Sequence, residues 1–200
     1  MLIARITGAL AAIIWFVGAP LPVLTGVPFP SDAQYLVMGA IAAVLGLALV
    51  PVTLTIGGPG LRRTKAFVRL SGLAVCIALT ASGVALVLAA TGRLGEGVSS
   101  IIPGAAFAVV AGLFIWIGVA SFALRGPSTI ERSMSWLGLL TGASFVAPVL
   151  ASILMFYFAQ GFVFTNATVL PVLLVELVLW VSFPAWLTVV VVGLSEKAAT

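Results

Sequence analysis

The sequence has no histidine at all. That excludes bis-histidine haem ligation, histidine-ligated metals, a Ser-His-Asp triad and a histidine proton relay, which together carry much of the chemistry of membrane enzymes. Carboxylates are almost as scarce, the full set being Asp32, Glu96, Glu131, Glu176 and Glu196. All but Glu176 fall at or beyond the ends of apolar runs, so no carboxylate pair sits inside one to act as general acid and base or to hold a hard cation. The single cysteine, Cys76, falls in the middle of such a run, which excludes an intramolecular disulfide and a cysteine-based metal motif. The expectation is a non-enzymatic protein that needs no cofactor and no metal.

Charge is the other scarcity. Only 7% of the residues are charged while 62% are hydrophobic, and the mean hydropathy is +1.33. Too few polar side chains exist to cover a water-facing surface, so the bilayer has to be the solvent. The net charge of +4 could suggest a nucleic-acid partner. Its distribution argues otherwise, because Arg62, Arg63, Lys65 and Arg69 crowd one short loop between two apolar runs. Lys and Arg in short loops are retained on the cytoplasmic side, beside anionic inner-leaflet lipids. These four residues therefore set the topology, and the partners expected from charge are the lipid bilayer and its anionic inner-leaflet headgroups, with no nucleic acid.

With about 20 residues needed per span, the apolar runs read as an all-α polytopic transmembrane bundle of six spans in a single domain covering residues 1–200. The expected spans are about 2–19, 35–56, 66–90, 101–124, 134–158 and 168–194. Arg5 followed by an apolar run resembles the front of a secretory signal, but Pro20 directly after Gly18 and Ala19 opposes cleavage there, so the run is read as the first span. Ser31-Asp32-Ala33-Gln34 reads as a capping box that opens the second. Ser99 or Ser100 is placed to cap the fourth, with Pro103 tolerated in its first turn.

This arrangement puts both termini inside. Arg5, Arg62, Arg63, Lys65, Arg69, Arg125, Arg132 and Lys197 are then cytoplasmic and only Arg93 is outside, a bias of eight to one. A five- or seven-span reading would move one end of the chain across the membrane and weaken that bias. The expected location is the cell (plasma or inner) membrane, as a multi-pass protein.

Helices in lipid cannot associate by apolar burial alone, so their contact faces should carry small residues at four-residue spacing. Gly104, Ala108 and Gly112 line such a ridge on the fourth span, and Gly138 and Gly142 form a literal G-x-x-x-G on the fifth. Ala74, Ala78 and Ser82 on the third span, with Ala42 and Gly46 on the second, follow the same rule. Each ridge serves equally for an internal contact or for one with another membrane subunit or a second copy.

Glu176 is the one acid inside a span. Eight residues past the start of the sixth span, it lies roughly 12 Å into the hydrocarbon at 1.5 Å per residue. A charged residue at the bilayer centre costs about 2.5–3.5 kcal/mol on insertion scales, so Glu176 should face the bundle and either be protonated or hold a partner. Val172, Trp180 and Phe183 share its helical face. Arg93, reaching in from the same outer side, is the natural counter-charge. One reading makes the pair a structural polar site; the other makes Glu176 a proton, cation or ligand site.

Arg5-Ile6-Thr7-Gly8 at the start of the first span, and Glu176-Leu177, Trp186-Leu187 and Gly193 in the last, resemble the DUF4386 family of six-span bacterial membrane proteins. The resemblance covers the two ends of the chain. It implies the six-span architecture and draws attention to Glu176, but no activity, because that family has none assigned. Two function classes therefore stay open. The first is an accessory or partner-binding bundle that works by contact. The second is a small-solute or proton-coupled permease or channel with Glu176 in its path. The first is preferred, since one intramembrane charge without a polar stripe is a poor basis for a hydrated path.

Overall fold

A computed structural model of the chain describes the backbone of residues 1–18, 32–56, 63–123, 125, 129–158 and 166–199, and the side chains of residues 1–18, 32–56, 65–123, 125, 129–146 and 177–193. Six long helices account for nearly all of it: α1 Leu2–Gly18, α2 Asp32–Thr55, α3 Arg63–Ala90, α4 Ile102–Ala123, α5 Thr129–Phe158 and α6 Asn166–Ala199. A single helical turn, Glu96–Ser99, precedes α4, and there is no strand among the described residues. Among the described residues, three segments are long and apolar enough to cross a membrane: Asp32–Thr55, Lys65–Ala90 and Glu96–Ala123. At 1.5 Å per residue, a helix of 24 residues such as α2 is about 36 Å long, more than the roughly 30 Å of a hydrocarbon core.

The helix starts differ from the expected ones where polarity misleads. Helix α5 begins at Thr129 rather than Met134, because Thr129, Glu131, Arg132 and Ser133 are helix-compatible residues whose polarity places them outside the apolar window. Helix α6 runs on to Ala199 for the same reason. Asp32 opens α2 as an acidic residue in its first turn, where it meets the positive end of the helix dipole; Ser31, the expected capping residue of the box, lies outside the described residues. The expected cap of α4 is not formed. Ser99 Oγ donates back to Leu94 O at 3.3 Å and Ser100 Oγ to Gly97 O at 3.0 Å, so both hydroxyls serve the preceding turn. Pro103 does occupy the first turn of α4, where its missing N–H costs nothing.

Each helix packs against its neighbours in sequence, and α1 also packs against α6, so the six close into a ring. Neighbours run antiparallel. Across α2 and α3, Gly39 faces Gly83, Gly46 faces Cys76 and Thr80, and Arg69 Nε donates to Ile56 O at 2.9 Å. Across α5 and α6, Ile130 meets Gly193 while Thr141 meets Ser182. Across α1 and α6, Gly8 meets Val191 while Phe16 stacks on Trp180.

The centre of the ring is filled with aromatic rings from four helices. Trp15 of α1 meets Phe114 of α4 edge-on at 5.4 Å and Phe183 of α6 at 5.1 Å. Phe114 stacks on Phe145 of α5 at 4.9 Å. Below this, Phe183 stacks on Trp186 at 6.3 Å, and Trp186 meets Trp116 edge-on at 6.4 Å. Phe114, Phe183 and Trp186 are at most 2% exposed. Since α1 and α4 are not neighbours in the ring, Trp15 spans its middle. Helix α1 comes close enough to do so because Ala4, Gly8, Ala11 and Gly18 form its buried edge. A Cβ on Gly8 would lie 2.7 Å from Val191 Cγ2, and one on Gly18 2.7 Å from Ile41 Cδ1.

Candidate functional site

The antiparallel ring gathers charge at one end. The starts of α1, α3 and α5 and the ends of α2, α4 and α6 meet there, bringing Arg5, Lys65, Arg69, Arg125 and Arg132 to a single face. Arg62 lies outside the described residues, and Arg63 and Lys197 are placed at the same end by their backbones. Arg93, exposed in the turn after α3, is at the opposite end.

Glu176 lies in α6, on the half nearer Arg93. The buried positions of that helix, Leu179, Ser182, Phe183, Trp186, Leu187 and Val190, recur at three- and four-residue steps. Position 176 continues this register one turn outward. The side chain of Glu176, and with it any pairing to Arg93, lies outside the described residues. One turn inward, Trp180 Nε1 donates to Phe16 O at 2.7 Å, tying α6 to the end of α1 beside that position.

Between these ends lies a set of buried polar groups that composition alone did not single out. Trp186 Nε1 donates to Ser121 Oγ at 2.9 Å, joining α6 to α4. Thr141 Oγ1 donates to Leu137 O at 2.7 Å and shares a hydrogen bond with Ser182 Oγ at 3.0 Å, joining α5 to α6. Trp116 Nε1 donates to Val68 O at 3.0 Å, joining α4 to α3. With no histidine in the chain and only hydroxyl, indole and carbonyl partners, these groups pin helices together rather than activate a nucleophile. Each such bond contributes about 0.5–1.5 kcal/mol net. The sequence signal for them is the alignment of Ser and Thr with buried small residues, which only the pairing of helices reveals.

The small-residue ridges sort by direction. A Cβ on Gly138 would overlap Ser121 and lie 2.9 Å from Trp186 Nε1, and one on Gly142 would lie 3.0 Å from Phe114 O and 3.1 Å from Gly118 Cα. Gly138 and Gly142 thus let α4 and α5 approach, with Gly118 opposite them. Among the described residues, nothing lies within 4 Å of where a Cβ on Gly104 or Gly112 would sit, and Ala108 is exposed. Gly104, Ala108 and Gly112 lie away from the buried side of α4, which Leu113, Phe114, Trp116 and Ile117 take. On α3, Ala74 is exposed, and the close contact with α2 runs through Gly72, Cys76, Thr80 and Gly83 instead.

No family model, no curated protein and no solved structure matches the chain, so the resemblance at its two ends stands on the residues that carry it.

Proposed function

We propose that this chain is a multi-pass protein of the cell membrane, crossing it six times with both termini on the cytoplasmic side, and that it acts without enzymatic chemistry, as an accessory or partner-binding bundle. The topology is supported by three helices of spanning length and by the collection of Arg5, Lys65, Arg69, Arg125 and Arg132 at one end of an antiparallel ring, opposite Arg93. The observation that carries the contact reading is the aromatic plug. Trp15, Phe114, Phe145 and Phe183 meet at centroid distances of 4.9–5.8 Å in the middle of the ring, where a permease needs room and polar lining. A filled ring has its outer faces left to work with, and the α4 face of Gly104, Ala108 and Gly112 admits the close approach of another helix.

The second reading, a small-solute or proton-coupled permease, is favoured by the register of position 176 on the buried stripe of α6. One experiment separates the two. A photo-crosslinking residue is placed at position 108 in native membranes, and proton and cation flux are measured in proteoliposomes carrying the parent and Glu176→Gln. The contact reading expects a discrete protein adduct at 108 and no flux that depends on Glu176. Adducts to lipid alone, together with a flux abolished by Glu176→Gln in a folded protein, would establish the permease instead.

A further inference from the structure

At the basic end, where α4 stops and α5 starts, a cleft of ≈ 350 Å³ is lined by Arg125, Arg132, Ser135, Trp136 and Leu139. Its chemistry is graded along one helix face. Arg132, Ser135, Trp136 and Leu139 are spaced three, four and seven residues apart and therefore share a side of α5. From Arg132 to Leu139 the helix rises about 10 Å. Arg125, exposed just beyond α4, faces the same opening as the exposed Arg132. Ser135 is buried to 4% exposure one turn deeper, and Trp136, at 68%, stands open beside it. Leu139 closes the deep end, with the half-exposed Leu140 next to it.

Guanidinium groups above, then a hydroxyl and an indole, then leucine: this is the order of groups that a phospholipid presents from phosphate through glycerol ester to acyl chain. Guanidinium is the side chain best matched to phosphate oxygens, and its five N–H donors can serve an intramolecular partner and a phosphate together. Indole is the side chain that prefers the headgroup level. The volume is at the small end for a ligand site: it fits a headgroup and glycerol, the acyl chains continuing into the bilayer along Trp136 and Leu140. Among the described residues, no carboxylate lines the cleft.

We propose that the cleft between α4 and α5 holds the phosphate of an anionic glycerophospholipid of the cytoplasmic leaflet. This rests on the orientation given above, which cysteine labelling tests separately, so a failure of either is told apart from a failure of the other. The experiment is native mass spectrometry of the full chain titrated with phosphatidylglycerol and with phosphatidylcholine of the same chain length. The parent should hold one phosphatidylglycerol under activation that strips phosphatidylcholine. Arg125→Gln/Arg132→Gln should weaken that retention about 10- to 30-fold, the effect of two basic groups near a headgroup. Arg5→Gln, which removes the same kind of charge from the same end outside the cleft, should leave it unchanged.

Equal loss in Arg5→Gln, or full retention in the double variant, overturns the proposal in favour of diffuse surface charge. Displacement of the lipid by millimolar inorganic phosphate alone also overturns it, showing a phosphate site rather than a lipid site. Both arginines are exposed, so the variants should purify. If they do not, equal retention of the two lipids by the parent overturns the proposal, and selective retention of the anionic one that persists in Arg5→Gln upholds it.

Discussion

Gly138 is where a single added carbon should do the most damage. A methyl group there would overlap both Cβ and Oγ of Ser121 and lie 2.9 Å from Trp186 Nε1. Ser121 cannot rotate away, because its Cβ is fixed by the backbone of α4, and Ser121 and Trp186 are 1% and 2% exposed. Relief requires α4 and α5 to separate, which strains the core by about 1–3 kcal/mol. It also breaks the 2.9 Å bond from Trp186 to Ser121, stranding a buried donor at a further cost of about 1–3 kcal/mol. Gly138→Ala is therefore expected to destabilise by about 2–6 kcal/mol, against a total of about 5–15. At about 2–4 °C per kcal/mol for a chain of this size, the midpoint should fall by about 5 °C or more, measured by tryptophan fluorescence and by the loss of monodisperse protein in detergent.

Two controls make the reasoning sharp. Gly112→Ala adds the same methyl group on the outer side of the neighbouring helix, with none of the described residues within 4 Å, and should leave the midpoint within about 2 °C, a shift of less than about 0.5 kcal/mol. Ser121→Gly removes the overlapping atoms, so the double variant Gly138→Ala/Ser121→Gly should be less destabilised than the sum of the single ones by about 1–3 kcal/mol. An unchanged midpoint in Gly138→Ala, or an equal drop in Gly112→Ala, would refute the account of how α4 and α5 meet.

Trp15 Nε1 is buried without a hydrogen-bond partner, so Trp15→Phe removes an unsatisfied donor along with some volume. It should lie within about 1 kcal/mol of the parent in the same melting assay, whereas Trp186→Phe should cost about 1–3 kcal/mol more. Thr141→Val leaves Ser182 without its 3.0 Å partner and should cost about 1–3 kcal/mol; Thr141→Val/Ser182→Ala should recover part of that loss, because both polar groups are then gone.

The helices themselves are written in the sequence, because a run of some twenty apolar residues has few other solutions in lipid. Their ends are less legible. Thr129 to Ser133 belong to α5 by hydrogen bonding, while their polarity marks them as loop. The contact faces are the least legible, because spacing states that small residues share a side but not which side is turned inward. Gly138 and Gly142 share the i, i+4 spacing of Gly104, Ala108 and Gly112, yet the first pair meets Gly118 and Phe114, while Gly104 and Gly112 meet none of the described residues. The decisive information is held by the bulky neighbours: Phe114, Ile117 and Trp116 claim the inner side of α4, leaving the ridge at 104–112 outside. The edge of α1 at Ala4, Gly8 and Ala11 follows four- and three-residue steps that the four-residue rule passes over. For the polar candidates, the sequence placed Glu176 and Arg93 towards the same end, but the pins at Ser121, Thr141 and Ser182 required knowing which helices are neighbours.

The central claim is the orientation of the ring, and cysteine accessibility tests it most directly. Cys76 is buried, so Cys76→Ala gives a background free of thiols. Single cysteines then go in at position 64 beside the basic cluster, at position 95, where a Cβ would have none of the described residues within 4 Å, and at position 200. A membrane-impermeant maleimide applied to intact cells should label position 95 and should reach 64 and 200 only after permeabilisation. Labelling of 64 or 200 from outside, or protection of 95 until the cells are opened, would contradict the orientation and the six-span count together.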